Sequence, residues 1–272
     1  LFIQDQIDLS DHWKIVLGGR LDDVDITVDN LKAGTSESRN DSMFSPRAGL
    51  IYKPQENTSL YWSYSESFLP RSGEQFKALS ASSARLDPDV FESSEIGVKF
   101  ALSDSMSLTA AYFDSEQVRA ARDNDTGETS EIRGLTVDGF EIELKGRVNN
   151  SLNLAVSYSN LSGETSSGGI PREIPEHTFS AFAAWEVNEM LSIGLGITQQ
   201  GESKIKDDTP GLVLPEYTRV DLSAYYQIHP DLNLQLNIEN LMDELYFPHS
   251  HSTHQASVGE SLNSRLSLRW TY

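Results

Sequence analysis

The sequence predicts an all-β fold, a transmembrane antiparallel up-and-down β-barrel of which this chain carries about thirteen strands. Two observations carry that prediction. Apolar and polar residues alternate with a period of two, the pattern of a strand with unlike faces. The connections between strands alternate between very short and long, six times in succession. A soluble sandwich also alternates apolar and polar residues, but Greek-key connectivity does not put all its short connections on one side. An up-and-down barrel in a membrane does, with tight turns on one side and longer loops on the other. Several strands also exceed the usual five or six residues and approach the roughly 9–11 that a tilted membrane strand needs.

Taken in order, the strands are expected at about residues 1–9, 13–28, 43–53, 58–68, 91–102, 106–118, 135–148, 151–161, 176–187, 190–201, 217–228, 232–247 and 262–272. In "EIGVKFAL", Ile96, Val98, Phe100 and Leu102 oppose Glu95, Gly97 and Lys99. In "GFEIELKGRV", Phe140, Ile142, Leu144 and Val148 oppose Glu141, Glu143, Lys145 and Arg147. "LNLQLNIEN" sets Leu232, Leu234, Leu236 and Ile238 against Asn233, Gln235, Asn237 and Glu239, and "RLSLRWTY" repeats the pattern with Leu266, Leu268, Trp270 and Tyr272. The short connections hold turn-forming residues: Ser10–His12, Gln55–Asn57, Ser103–Ser105, Asn149–Asn150, Asn188–Glu189 and His229–Asp231. The long ones, near 30–42, 69–90, 119–133, 162–175, 202–216 and 248–260, are polar. Trp62, Tyr64, Trp185, Tyr226, Trp270 and Tyr272 lie on or near strand ends, where interfacial aromatic girdles would sit.

Composition narrows the function. Lys and Arg total 21 against 41 Asp and Glu, a net charge of −20, so nucleic acid is not an expected partner. The absence of cysteine excludes disulfides and thiolate metal sites. No apolar run is long enough for a membrane helix, and "LFIQDQIDLS" begins in strand-like alternation without the features of a signal peptide. A closed antiparallel barrel needs an even strand number, so thirteen implies further strands, expected on the N-terminal side. If the last strand ends on the short-turn side, Tyr272 is periplasmic and residues 248–260 form the last external loop.

The segment "FSPRAGLIYKPQENTSLYWSYSESFLPRSGE" (Phe44 to Glu74) resembles the mid-barrel signature of TonB-dependent siderophore receptors, in which a strand and turn lead into an "LYxSYSxSF" strand. "FESSEIGVKF", "IRGLTVDGFEIELKGRV", "LPEYTRVDLSAYYQI" and "NIENLMDELYF" resemble the strands that follow in the same family, and "RLSLRWTY" its closing aromatic strand. The resemblance runs in order from about residue 13 to 272. It implies a 22-strand barrel around an N-terminal plug, with residues 1–272 forming the C-terminal part of the barrel domain and no plug or TonB-contacting box among them. It further implies an outer-membrane transporter of a ferric siderophore, energised by TonB through the plug. The iron arrives as the chelate, and no resident cofactor is implied. Outer-membrane lipid, lipopolysaccharide and the barrel assembly machinery are the other implied partners, the last reading Trp270 and Tyr272 at the C-terminal strand. A passive porin-like channel and a soluble carbohydrate-binding domain are the rival readings.

A ferric siderophore is bulky and often anionic, which favours cations and aromatic rings around it. Arg71, Lys77, Arg85, Arg119, Arg122 and Arg172 lie in expected external loops and are candidate ligand contacts, with Arg133, Lys204 and Lys206 as further loop cations. Each has the alternative role of balancing nearby acids, as Lys204 and Lys206 would beside Asp207 and Asp208. His249, His251 and His254 fall in the last external loop. They are open to three readings: a zinc site, a contact to ligand or iron chelate, or a polar loop. Asp123, Asp125 and Gly127 match only part of a calcium loop and fit a solvated hairpin tip better. No Gly-x-Ser-x-Gly elbow is present, and the serines beside these histidines sit in a loop without preorganisation, so no enzyme is expected.

Overall fold

The computed structural model describes residues 1–70, 87–122, 129–205 and 211–271, the side chains of 119–122, 129–133 and 251–252 excepted. Thirteen strands pair antiparallel in chain order: β1 (Phe2–Asp8), β2 (Trp13–Asn30), β3 (Thr35–Gln55), β4 (Thr58–Leu69), β5 (Asp89–Ser103), β6 (Met106–Arg122), β7 (Thr129–Asn149), β8 (Leu152–Thr165), β9 (His177–Glu186), β10 (Leu191–Gln200), β13 (Tyr217–His229), β14 (Leu232–Glu239) and β17 (Asn263–Trp270). Two short ribbons occupy long connections, β11 (Ser203–Lys204) with β12 (Val213–Leu214) and β15 (His249–Ser252) with β16 (Gln255–Ser257). The chain divides into two compact units. One holds Leu1–Gly97, Tyr112–Asp138 and Gly163–Gly168; the other holds Val98–Ala111, Gly139–Ser162 and Gly169–Tyr272.

The tight turns follow from their side chains. Ser10 Oγ accepts the amides of His12 and Trp13, and Asn188 Oδ1 accepts those of Met190 and Leu191 at 2.9 and 3.0 Å. Asn149 Oδ1 does the same for Ser151. These short polar side chains satisfy amides that the ladder leaves open.

In the second unit the registers put like with like. Opposite residues of neighbouring strands share a face. Leu154, Ala183, Leu195, Leu222 and Ile238 form one continuous apolar row across β8, β9, β10, β13 and β14. The next row toward the tight turns runs through Leu152, Trp185, Ile193, Ala224, Leu236 and Leu266. Leu191, Tyr226, Leu234 and Leu268 follow, then Leu232 opposite Trp270. Rows of the other face are polar, as with Ser192, Tyr225, Gln235 and Ser267. The apolar face is not a core: Leu266 is 67% and Trp270 73% exposed. Among the described residues the buried apolar side chains are Met43, Leu214 and Tyr246. A water-soluble sandwich would bury such rows against a second sheet, because monomers in water rarely expose apolar patches beyond several hundred Å². An apolar exterior of this extent belongs in lipid, as the barrel prediction requires.

The first unit shows where that exterior stops. Trp13, Ile15, Leu17, Gly19 and Leu21 of β2 lie opposite Tyr52, Leu50, Ala48, Pro46 and Phe44 of β3, and Trp13 stacks on Tyr52 at 4.5 Å between centroids. From Trp13 to Leu21 is about 27 Å at ~3.4 Å per residue, or about 20 Å after a tilt of roughly 40°, close to the ~25 Å apolar band of such barrels. Past Leu21 and Phe44 the polarity of the two faces exchanges. Asp23, Asp25, Thr27 and Asp29 now continue the exposed face opposite Ser42, Asn40, Ser38 and Ser36, while Val24, Ile26 and Val28 turn to the half-buried side. The pleat has not slipped; the outer medium has changed from lipid to water.

That hairpin corrects one expected loop. Residues 30–42 were expected to be irregular, yet the ladder continues to Asn30 and Thr35 and leaves only residues 31–34 as a turn. Asn30 accepts the amide of Gly34 through its carbonyl and that of Ala33 through Oδ1, and Gly34 takes φ 67°. A strand with water on one side needs no apolar alternation there, so its Ser, Asp and Asn residues hid it. The loops expected at 119–133 and 162–175 shorten in the same way, with β6 reaching Arg122, β7 starting at Thr129 and β8 ending at Thr165. The opposite correction applies to the strand expected at 232–247, which ends at Glu239. Asn240 and Asp243 there adopt φ 53° and 52°, and the chain leaves the sheet.

Candidate functional site

Three long connections of the second unit are joined to one another by polar contacts. The segment after β8 reaches the β11 ribbon: Arg172 and Lys204 form a parallel β-bridge, and the Glu173 amide donates to the Lys204 carbonyl at 2.9 Å. The β11 and β12 strands pair Ser203 with Leu214, which is 2% exposed, and Ile205 donates its amide to Leu212. The last connection joins through Ser250, which is buried. Its amide donates to Glu173 Oε1 at 2.5 Å, and its single hydroxyl proton has two acceptors within reach, the same oxygen at 3.2 Å and the Ile205 carbonyl at 3.4 Å. One carboxylate therefore ties together segments 77 residues apart in the chain.

The base of the last connection is fixed separately. Asn240, only 1% exposed, uses its whole amide group. Nδ2 donates to the Glu244 and Glu260 carbonyls at 2.8 and 3.0 Å, and Oδ1 accepts the Glu244 amide at 2.9 Å. Its backbone amide donates to Asp221 Oδ1, while Asp221 Oδ2 accepts from Arg219 at 2.9 Å. Arg219 also donates to the Tyr246 hydroxyl at 3.2 Å, and Tyr246 lies against Tyr217 with ring centroids 4.7 Å apart. The Tyr246 carbonyl accepts the Gly259 amide at 2.8 Å, closing the base of the loop. A Cβ on Gly259 would come within 2.2 Å of the Tyr246 ring, so glycine is needed for that approach.

Arg172, Lys204 and His249 are thus brought to one loop cluster, His249 beginning β15 next to Ser250. His249 and His254 are both exposed, and they stand at opposite ends of the short β15 strand, with His254 in the turn before β16. Among the described residues no three His, Asp or Glu side chains are placed to share a metal ion. Arg71, Lys77, Arg85, Lys206 and Tyr272, with the Asp123–Gly127 tip, lie outside the described residues. Arg119 and Arg122 end β6, and Arg133 and His251 lie in β7 and β15, their side chains likewise outside the description. Trp270 closes β17 on the apolar face opposite Leu232. Lys204 has Glu202 at 3.8 Å, and Lys145 pairs with Glu143 at 2.6 Å on the polar face. Two clefts also open on polar faces. One of about 510 Å³ in the first unit is lined by Arg20, Arg47, Ser65 and Glu66, and one of about 280 Å³ in the second by Arg219, Asp221 and Glu239.

The model of the TonB dependent receptor-like β-barrel matches residues 1–241. The chain belongs to this family. As a member it forms part of a transmembrane β-barrel of the outer membrane, which accords with its exposed apolar rows. Similar curated proteins are the probable TonB-dependent siderophore receptor PiuA of Acinetobacter baumannii, 27% identical over 301 residues, and the metal-pseudopaline receptor CntO of Pseudomonas aeruginosa, 28% over 291. Each alignment covers 100% of this chain and 40% of the relative, so the chain spans about two fifths of their length. The crystal structure of PiuA superposes with a TM-score of 0.86 at 25% identity, covering 100% of this chain and 42% of PiuA.

Sequence reasoning missed Glu173, Ser250, Arg219, Asp221, Asn240 and Tyr246. One signal for the Asn240 knot was present: "ENLMDE" places two residue types tolerant of positive φ where the alternation of β14 fails. Nothing local marked Glu173 or Ser250, because their contacts to each other and to Lys204 and Ile205 are all distant in the chain.

Proposed function

We propose that this chain is the C-terminal part of the barrel of a receptor that takes up a ferric siderophore across the outer membrane. Uptake is energised by TonB acting on a plug domain encoded N-terminal to residue 1. The observation that carries this reading is the alignment of the whole chain with a probable siderophore receptor, whose crystal structure also superposes over the whole chain. The receptor relatives also favour transport over catalysis. Iron enters as the chelate and leaves as cargo, and the reading needs no resident cofactor.

Arg172, Lys204 and His249 are the ligand contacts best supported by geometry, since one loop cluster holds all three. A cation pair on adjacent backbones suits an anionic chelate, because charge-assisted contacts are stronger than neutral ones. Arg71, Lys77, Arg85, Arg119, Arg122, His251 and His254 are further candidates of the same class. Trp270 and Tyr272 serve membrane insertion, recognised by the barrel assembly machinery, and lipopolysaccharide surrounds the external rim.

The test uses the complete gene product in its own outer membrane, with radiolabelled iron presented as catecholate, hydroxamate and carboxylate chelates beside cobalamin and sugars. One class of iron chelate should bind, and its uptake should stop when TonB is deleted while binding persists. Uptake that continues without TonB would replace this reading with a passive channel.

A further inference from the structure

The last long connection is held at two places of different construction. Its base, Tyr246 to Gly259, is closed by the backbone bond between these residues and by the Asn240, Asp221 and Arg219 network, so many groups would have to part before it opens. Its far side rests on Ser250, whose amide and hydroxyl both reach one oxygen of Glu173. The hydroxyl contact to the Ile205 carbonyl is the longest of the set, at 3.4 Å. We propose that residues 247–258 form a strap, hinged at the Tyr246–Gly259 base and caught at Ser250 by the Glu173 carboxylate, which can release as a body while its base stays shut.

The backbone of Glu173 supports the assignment. Among the described residues three non-glycine residues have positive φ: Asn240, Asp243 and Glu173, the last at 58°. Asn and Asp accept that region readily, and a long side chain such as Glu does so rarely. Asn240 and Asp243 flank the turn at residues 241–242, and Glu173 lies in a turn of its own. At Glu173 the same conformation comes with an amide bonded to Lys204 and a carboxylate on Ser250, which joins all three connections at one residue. A strained residue held by contacts on both its backbone and its side chain is the construction of a catch. Release of that side chain would leave the strap the longer Ser250 contact to the Ile205 carbonyl as its remaining tie there and would change access to the cluster.

Hydrogen exchange on the complete receptor in detergent or nanodiscs tests this without any ligand. Glu173→Gly keeps a residue at ease with φ 58° and removes the carboxylate. Amides of residues 249–257 should then exchange at least about tenfold faster, while those of Leu232–Glu239 and Asn263–Trp270 keep their protection. Glu173→Gln, which keeps an acceptor oxygen, should stay within roughly threefold of the parent. Unchanged exchange of 249–257 in Glu173→Gly would overturn the proposal. So would faster exchange that spreads into β14 and β17, because the base would then not be independent of the catch.

Discussion

The ladder of β8, β9, β10, β13, β14 and β17 and the loop cluster of the same unit are built on opposite principles. In the ladder, neighbours in space sit opposite each other by register, and each apolar row repeats one rule of alternation. In the cluster, Glu173 meets Ser250, and Asn240 meets Glu260, through bonds that no local rule specifies. The ladder spreads its stability over many equivalent side chains facing lipid. The cluster concentrates it on a few polar groups, each with several partners. Substitutions should therefore be graded in the ladder and abrupt in the cluster.

The largest effect is expected at Asn240. Asn240→Ala strands the Glu244 amide and the Glu244 and Glu260 carbonyls and places alanine at φ 53°, which together should cost about 4 kcal/mol. The check is the thermal midpoint of the folded barrel read from its heat-modifiable gel mobility, with Asn240→Asp no milder, because its second carboxylate oxygen would face two buried carbonyl acceptors.

Next comes a charge in the ladder. Leu195 lies in the central apolar row between Ala183 and Leu222, so Leu195→Arg should destabilise by about 3 kcal/mol. Asn153→Lys, on the polar face opposite Ala184, should change stability by at most about 0.5 kcal/mol. Equal costs at the two positions, in urea unfolding from liposomes, would remove the distinction between the faces.

A smaller effect is expected at Gly259. Adding one methyl group against the Tyr246 ring should cost about 2 kcal/mol as overpacking. Gly259→Ala combined with Tyr246→Ala should recover part of that loss. The smallest belongs to Lys14, whose 2.7 Å pair with Asp8 is partly exposed. Lys14→Ala should cost no more than about 0.5 kcal/mol, and less in high salt.

This division explains what the sequence disclosed. All thirteen ladder strands were legible, because alternation such as Leu232, Leu234, Leu236 and Ile238 is written in neighbouring residues. The outer halves of β2 and β3 were not, since past Leu21 the apolar set changes face and the polar face meets water on Ser, Asp and Asn. The end of β14 was missed for another reason. Leu241, Met242 and Leu245 keep the segment apolar although the alternation breaks at Asn240, where the chain turns away. Of the candidate site, the cations and histidines were found by type and loop position. Their grouping depends on Glu173 and Ser250, which carry no local pattern.

The central claim is that the alternating apolar face lies in lipid and its opposite face in water. These 272 residues contain no cysteine, so single cysteines can be introduced among them without local background, any cysteine elsewhere in the complete protein being replaced first. They would be placed in turn along β10, from Leu191→Cys to Gln200→Cys, in the complete protein in membranes. Residues 191, 193, 195 and 197 should resist a water-soluble thiol reagent and carry labels quenched from the lipid phase. Residues 192, 198 and 200 should react freely with the water-soluble reagent. Uniform reactivity along the strand, or the reverse alternation, would contradict the account.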